Sequence, residues 1–263
     1  MAILLKMKKN SIRFFCLIFS MWLGLQLAVA QTVFIRSAKI TFEKKVNIKE
    51  QLANNEWLND EAKEKMGKYR TTNWEYSFND STSIYRAKPK ESLGDNAFFF
   101  SSDNTDELFT DFAKSNRMKR KSIMGSDFIL KDSIPHLKWK IMHDLRKIAG
   151  YECRKAIAMI NDTVTVVAFY TDEILLKGGP EGFTGLPGMI LGLAIPRYNT
   201  TWFATKIEAK NADILNISAP VKGKRTDTEK DFKRMLDLYT RYDDKKNPRK
   251  MEDIKKELYS LFL

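Results

Sequence analysis

The sequence predicts a mainly β protein of the α+β class, with a curved antiparallel sheet or open half-barrel and C-terminal helices packed on it. Short runs of β-branched and aromatic residues recur between turn residues along most of the chain, which is typical of antiparallel strands and not of βαβ units. Helical spacing of apolar residues appears only near the C-terminus, at Phe232, Met235 and Leu236. The hydrophobic fraction of 43% and aromatic fraction of 12% indicate a folded chain with a real core.

The first half of the chain is predicted to form a series of short strands, at 33–46, 69–78, 82–87, 97–101, 107–112, 117–124 and 128–134. Asn79 and Asp80 tolerate turn geometry, so the second and third of these strands are expected to form a hairpin. The segment 48–66 is rich in Lys and Glu and has few apolar anchors. It therefore predicts a weak helix or a mobile insertion.

The second half contains the clearest strand pair, at 150–160 and 164–171, which predicts a hairpin near the centre of the core. A stretch rich in Gly and Pro follows at 178–188. Within it, Pro187 and Gly188 fit the two central positions of a type II turn. A buried strand is then expected at 189–195, and after a turn a second strand is expected at 201–208.

Residues 218–263 are predicted to be a helical C-terminal extension. A first helix is expected around the stripe at Phe232, and a second after Asn247 and Pro248, which suit the N-cap and N1 positions. Such stripes usually dock on their own sheet. Docking on another protein remains the alternative.

The first thirty residues have the three parts of a cleavable signal peptide. Four basic residues precede an apolar run at 14–25, and Ala28-Val29-Ala30 supplies the small residues that a signal peptidase needs before Gln31. The apolar run is shorter than the ~20 residues of a spanning helix. The sequence therefore predicts a signal peptide at 1–30, a single domain at 31–263, and no transmembrane segment in the mature chain.

The chain is basic, with a formal net charge of +12 that falls to +8 when the four basic residues of the predicted signal are removed. A basic surface can meet nucleic acid, anionic lipid or acidic glycans. Export and the lack of a nucleic-acid-binding motif argue against nucleic acid. Cys153 is the only thiol of the predicted mature chain, so no intramolecular disulfide is expected.

Three blocks in the second half match the motifs of one known family. They are the residues at 150–156, those at 169–174, and a glycine-rich block in which Gly179-Pro180 precedes the hexapeptide at 185–190. On their order and spacing, over about residues 97–210, the chain closely resembles the GLPGLI family of exported Gram-negative proteins. The motif residues, to which a structural role is assigned, are Cys153, Gly185, Leu186, Pro187, Gly188, Met189 and Ile190.

Met189 stands where the family name has Leu, which is a volume-conserving replacement. The resemblance implies an envelope protein, located in the periplasm or associated with the outer membrane. It supplies no catalytic or cofactor-binding residues. Members of the family look similar in pattern to curved-sheet envelope carriers of lipoproteins.

No catalytic motif and no metal-ligand spacing is present. The two histidines, His136 and His143, lie in no HExxH or CxxC pattern, and no GxSxG elbow occurs. We therefore assign no catalytic residue, no metal and no cofactor.

Lys155 is the most informative polar position, because it shares a predicted strand face with Tyr151 and Cys153. Burying its ammonium unpaired would be costly, so Asp172 or Glu173 is expected as its counter-charge. The alternative is a polar point in a ligand cavity, for which Tyr151, Lys155 and Glu173 are the candidate ligand-binding residues.

The leading hypothesis is an exported, non-enzymatic protein that binds a small ligand or a periplasmic or outer-membrane partner. A periplasmic hydrolase acting on peptides or glycans is the first alternative. A scaffold that docks through its C-terminal helices is the second.

Overall fold

The computed structural model describes residues 34–51, 61, 67–88, 106–123, 126–160, 163–211, 215–242, 251 and 254–255. The residues it describes belong to one compact unit. Its strands are β1 (Ala38–Asn47), β2 (Tyr69–Phe78), β3 (Thr82–Ala87), β4 (Glu107–Asp111), β5 (Asn116–Ile123), β6 (Ser126–Ser133), β7 (Lys140–Ile148), β8 (Tyr151–Ile160), β9 (Val164–Thr171), β10 (Met189–Ile195), β11 (Thr200–Ala209) and β12 (Lys224–Asp227). The helices are α1 (Ile48–Gln51) and α2 (Thr228–Tyr242), and 3₁₀ turns lie at Pro180–Gly182 and Pro196–Tyr198.

All twelve strands join one open sheet, in the order β12-β6-β5-β4-β3-β2-β1-β11-β10-β9-β8-β7. Two runs of consecutive antiparallel strands, β2 to β6 and β7 to β11, flank β1 and are joined through it. The prediction of a mainly β, antiparallel fold is therefore confirmed. The sheet is mixed, however, because β12 pairs with β6 in parallel.

The β2–β3 hairpin has the predicted boundaries. Asn79 accounts for its turn, since its Oδ1 accepts hydrogen bonds from the backbone N–H groups of Ser81 and Thr82 at 3.0 and 2.8 Å. The central hairpin of β8 and β9 is also found, with Cys153, Ala156 and Val166 fully buried.

Two strands are absent from the sequence predictions, β7 and β12. Almost every residue of β7 is exposed, because it is the last strand of the sheet and pairs only with β8 among the described residues. An edge strand of this kind has no apolar alternation from which it could be predicted. The predicted strand at 97–101 lies outside the described residues, as does most of the segment 48–66.

The predicted pair of C-terminal helices is not supported. The described residues show one helix of 15 residues, α2, and residues 224–227 of the predicted helical extension form β12 instead. Most of the second predicted helix lies outside the described residues. Helix α2 contacts β6 and β12 of its own sheet. No helix in the described part of the chain has the length and apolar character that a membrane crossing needs.

The main core lies on the face of the sheet over which the β9–β10 connection passes, here called the loop-covered face. Alternation places Phe42 of β1, Tyr76 of β2 and Tyr85 of β3 on this face. The centroids of these rings are 6.3 to 6.4 Å apart, in edge-to-face and tilted arrangements. Buried Phe183 and Leu186 come from the connection itself. The connection is therefore part of the core, although it contains no strand.

The Pro187-Gly188 bend is tighter than predicted. The Gly188 N–H donates to the Leu186 carbonyl at 2.8 Å, which closes a three-residue γ-turn around Pro187, so the predicted type II turn is wrong. Gly188 has φ of 155°, and a Cβ there would lie 2.0 Å from the carbonyl oxygen of Thr171. Glycine is required at this position because the backbone of β9 occupies the space of a side chain.

We expect Gly188→Ala to destabilise the protein far more than Gly150→Ala. Both glycines have positive φ, but a Cβ at Gly150 meets nothing within 4 Å. Gly150→Ala should therefore cost only backbone strain, about 1 to 2 kcal/mol, whereas Gly188→Ala should cost about 4 kcal/mol or more because β9 must move. Urea unfolding followed by circular dichroism measures both, and equal losses would contradict the close approach.

Candidate functional site

A buried carboxylate lies at the centre of the loop-covered face. Glu181 is the middle residue of the Pro180–Gly182 turn in the β9–β10 connection, and its side chain is only 4% exposed. Its backbone is left-handed, with φ of 54°. A non-glycine residue is strained in this conformation, so the surrounding contacts must hold it in place.

Both carboxylate oxygens of Glu181 face cationic or donor groups. Oε1 lies 2.9 Å from Nζ of Lys44 and accepts a hydrogen bond from Nε1 of Trp202 at 3.1 Å. Oε2 lies 4.0 Å from Nζ of Lys119. We call these four residues the Glu181 centre.

The strands position these partners by simple alternation. Lys44 follows Phe42 on the loop-covered face of β1 and is opposite Trp202 of β11. The Lys44 ammonium lies 5.0 Å from the ring centroid of Trp202 and 5.5 Å from that of Trp74. Two indole faces therefore stabilise the cation, in addition to the carboxylate.

Lys119 approaches from a different part of the sheet. It lies on β5, and three strands separate β5 from β1. Adjacent strands are about 4.8 Å apart, so the two lysine backbones are roughly 19 Å apart across a flat sheet. Glu181 lies between them, because the turn that carries it contacts β3 and β4. One carboxylate thus links strands that do not pair with each other.

Glu181 is held in its ionised form. Burial alone would raise the pKa of this carboxyl, but the ammonium groups of Lys44 and Lys119 outweigh burial and hold the pKa below its ordinary value. A carboxylate in this state cannot donate a proton at neutral pH, and its basicity is reduced. The geometry therefore suits binding or structural roles better than acid–base catalysis.

Two lysines of β5 have pKa values lowered mainly by burial. Burial, and then the neighbouring ammonium of Lys121, lowers the pKa of Lys119 to about 7, although Glu181 and Asp106 oppose this shift. Burial also lowers the pKa of Lys121. Burial is thus the main reason why the protonated forms of both lysines are disfavoured, and the charges of Glu181 and Asp106 oppose it.

The hydroxyl of Tyr85 lies at the floor of the same centre. The Tyr85 ring stacks on Trp74 at 4.8 Å, and its hydroxyl is buried without a hydrogen-bond partner among the described residues. Burial and the nearby Glu181 charge raise the pKa of Tyr85 well above its usual value. The indole N–H of Trp202 donates its hydrogen bond to Glu181. The same N–H lies close enough to the Tyr85 hydroxyl to oppose the rise in its pKa, so the hydroxyl has a polar neighbour.

The ligand residues predicted from sequence lie elsewhere on the sheet. Lys155 forms an ion pair with Asp144 of β7 at 3.9 Å, and not the expected pair with Asp172 or Glu173. Asp144 lies on the edge strand β7, which was not predicted from the sequence, so this partner of Lys155 could not be identified. Glu173 is exposed. Burial, and then the negative charge of Glu173, raises the pKa of the Tyr151 phenol.

Cys153 is a buried and unreactive thiol. It has no exposed surface, and its Sγ lies 3.6 Å from the Tyr151 carbonyl. Burial raises the pKa of the thiol to about 12, so almost no thiolate forms at neutral pH. In the described part of the chain, no three His, Cys, Asp or Glu side chains are placed to hold a metal ion.

The residues of the Glu181 centre were missed by sequence reasoning, although each carried a signal. Glu181 is the only acidic residue of the Gly/Pro-rich stretch 178–188. Lys44 interrupts the apolar alternation of Ile40, Phe42 and Val46. A charged residue in phase with a core face usually indicates a buried partner, and this rule would have selected Lys44.

The fold and the site together define a mainly β domain with a buried, lysine-rich ionic centre. The model of the family described as "N-glycanase peptide, N-terminal domain" matches residues 96–240, more than half of the chain. The chain belongs to this family. No curated protein matches it.

Solved structures with some likeness have low sequence identity. PNGF-II in its C2 and P21 crystal forms is 14% and 15% identical, with TM-scores of 0.48 and 0.49. These matches cover 74% of this chain but only 31% and 32% of PNGF-II, so the chain spans about a third of that protein's length. An uncharacterized conserved protein from Thermus thermophilus is 4% identical, with a TM-score of 0.38, over 75% of this chain and 93% of that one.

We expect Glu181→Gln to lower the free energy of unfolding by about 3 kcal/mol or more, because it leaves the buried ammonium groups without their counter-ion. Glu229→Gln is the matched control. Glu229 pairs with Lys233 at 2.8 Å on the exposed surface of α2, where an ion pair contributes less than about 0.5 kcal/mol. Denaturant unfolding at neutral pH measures both, and equal effects would show that the Glu181 pairs contribute little.

Proposed function

We propose that this chain is an exported, non-enzymatic envelope protein that binds a glycan or a glycan-bearing partner, with the Glu181 centre as the core of its binding site. The family description supports the ligand class, since it names an N-glycanase. The basic composition and the export signal predicted at 1–30 support a location in the periplasm or at the outer membrane. The GLPGLI motifs support the same location.

One observation carries the binding part of this proposal. Glu181 is a strained, buried carboxylate whose two oxygens are already engaged by Lys44, Trp202 and Lys119. Strained residues and buried ionic groups of this kind cluster at functional sites. The lowered pKa of Glu181 and the raised pKa of Cys153 leave neither group suited to chemistry, so binding is the better interpretation.

A curved sheet would favour a binding surface. We propose that the sheet curves toward its loop-covered face, because an open sheet of twelve strands curls as strand twist accumulates. A concave face would bring the side chains of β1 and β5 toward one point. Both strands contribute to the Glu181 centre.

A hydrolase acting on glycans or peptides is the second candidate, because the family description contains the word N-glycanase. It predicts that the protein releases glycans from a glycopeptide over many turnovers. Mass spectrometry of the products decides between the two functions. Sustained turnover by the wild-type protein would replace the binding proposal.

We expect the full chain, expressed in a Gram-negative host, to be recovered from the periplasmic fraction with residues 1–30 removed. Intact-mass measurement should place the mature N-terminus at Gln31. Replacing the basic residues before the apolar run should leave the precursor in the cytoplasm. A protein that keeps its first thirty residues in the wild-type form would contradict the export proposal.

We expect the processed protein to capture saccharides on a glycan array, and Lys44→Gln to weaken the captured signal at least tenfold. Lys39→Gln is the control, because Lys39 lies on the same strand but pairs with Glu75 at 3.0 Å on the opposite face. Circular dichroism and urea unfolding verify that both variants are folded. Capture that is equal in the two variants would place the site away from the Glu181 centre.

A further inference from the structure

The outer edge of β7 is a surface that the Glu181 centre does not use. Strand β7 ends the sheet and pairs only with β8 among the described residues, so one row of its backbone N–H and C=O groups has no partner strand there. Its pairing with β8 is shifted between Ile141 and Leu145 and is regular again over residues 145–148. A regular strand edge of this kind can accept a further strand.

Two large apolar side chains of β7 are exposed to solvent. Leu145 is 55% exposed, and Ile141, on the other side of the shift, is 46% exposed. Sheets usually protect a free edge with charged side chains, with proline or by making the edge strand short. An exposed leucine within the regular part of the edge instead favours a neighbouring strand, because a cross-strand apolar side chain would bury it.

Arg146, the next residue of the strand, has a fixed and exposed guanidinium. The guanidinium carbon lies 4.7 Å from the ring centroid of Phe203 and 5.7 Å from that of Phe169, so two cation–π contacts hold it in place. Within the described ranges, Arg146 makes no hydrogen bond and no ion pair. A guanidinium can bind a carboxylate through two parallel N–H groups. Arg146 is therefore positioned to receive an acidic side chain.

The charge of β7 decides which kind of strand fits its edge. Lys140, Arg146 and Lys147 outnumber Asp144, so the strand has a net charge of +2 with its histidine neutral. Asp144 is already paired with Lys155 of β8, and β8 itself adds one further net positive charge. Like charges oppose the pairing of β7 with a second copy of itself, whereas an acidic strand is attracted.

We infer that the β7 edge is a docking surface for an acidic, extended segment of a partner protein, which adds to the sheet as a strand along residues 145–148. Leu145 and Arg146 point to opposite faces, because side chains alternate along a strand. The partner segment therefore has an apolar residue opposite Leu145 and a carboxylate opposite Arg146. Main-chain hydrogen bonds supply the affinity, and these two side-chain pairs set the sequence preference. This docking requires neither Glu181 nor a saccharide.

The probe is a capped octapeptide of alternating Val and Glu, which presents one apolar and one acidic face as a strand. Hydrogen–deuterium exchange of the processed protein should show at least fivefold slower amide exchange in β7 when this peptide is added, with β2 unchanged as the internal reference. Isothermal titration should give at least tenfold weaker binding of the Val–Gln octapeptide, which keeps the shape and removes the charge. A Val–Glu peptide with its two central Val residues replaced by Pro keeps the charge but cannot form the strand, and it should also bind at least tenfold more weakly.

Two protein variants test the role of Arg146. Arg146→Gln should weaken binding of the Val–Glu octapeptide at least fivefold, because the acidic side chain loses its partner. Lys222→Gln is the matched control, since it removes the same charge from an exposed lysine just before β12, at the other end of the sheet, and should leave binding unchanged. Circular dichroism and urea unfolding verify that both variants are folded. Binding to the wild-type protein should also weaken as salt is added.

Four results would overturn the inference. If the Val–Gln peptide or a Val–Lys octapeptide binds as tightly as the Val–Glu peptide, the partner is not acidic. If the proline-containing peptide does so, the contact is not strand pairing. If β7 exchanges as slowly as β8 in the free protein, its edge is already covered, and a mass that doubles with concentration would identify a second copy as the cover. If no peptide slows exchange in β7, the edge is not a docking surface. None of these results bears on glycan binding.

Discussion

A carboxylate surrounded by aromatic and apolar side chains has to keep its cationic partners, because an isolated buried ion is far more costly than a paired one. Glu181 is in this position, and its partners come from β1, β5 and β11. These strands lie on both sides of β2, β3 and β4 in the sheet. The ionic contacts therefore tie the β9–β10 connection down over the sheet, and the connection in turn completes the core.

The glycines of the connection make this arrangement possible. A Cβ at Gly178 would lie 2.2 Å from the Tyr76 hydroxyl, and one at Gly179 would lie 2.7 Å from the side chain of Ile190. The backbone thus runs close against the face of the sheet, where no larger residue fits. Glu181 lies two residues after Gly179, and its carboxylate contacts Lys44 and Trp202 on that face. The glycines thus keep the backbone that carries this carboxylate close to the sheet.

The sequence allowed the architecture to be predicted better than the site. The turn residues Asn79 and Asp80 located the β2–β3 hairpin. Alternating and β-branched residues located the β8–β9 hairpin, because burial on one face imposes a period of two. The edge strand β7 was missed, since most of its side chains are exposed, and the partner of Lys155 was missed with it. Glu181, Lys44 and Lys119 are far apart in sequence, and no local pattern states that a turn will bring them together. The candidate residues Tyr151, Lys155 and Glu173 were chosen because they lie on or next to one predicted strand pair. They do not lie in the buried ionic environment of Glu181.

The central position of β1 has a kinetic consequence. Each run of strands, β2 to β6 and β7 to β11, consists of neighbours in sequence, so each can form from local contacts at its turns. Joining the two runs requires β1 to pair with β11, and their partnered residues Ala38 and Ala209 lie about 170 positions apart. Closing so long a loop is entropically slow. Until β1 pairs with β11, both runs have an unprotected strand edge. A chain held at that stage is prone to pair with other molecules and aggregate.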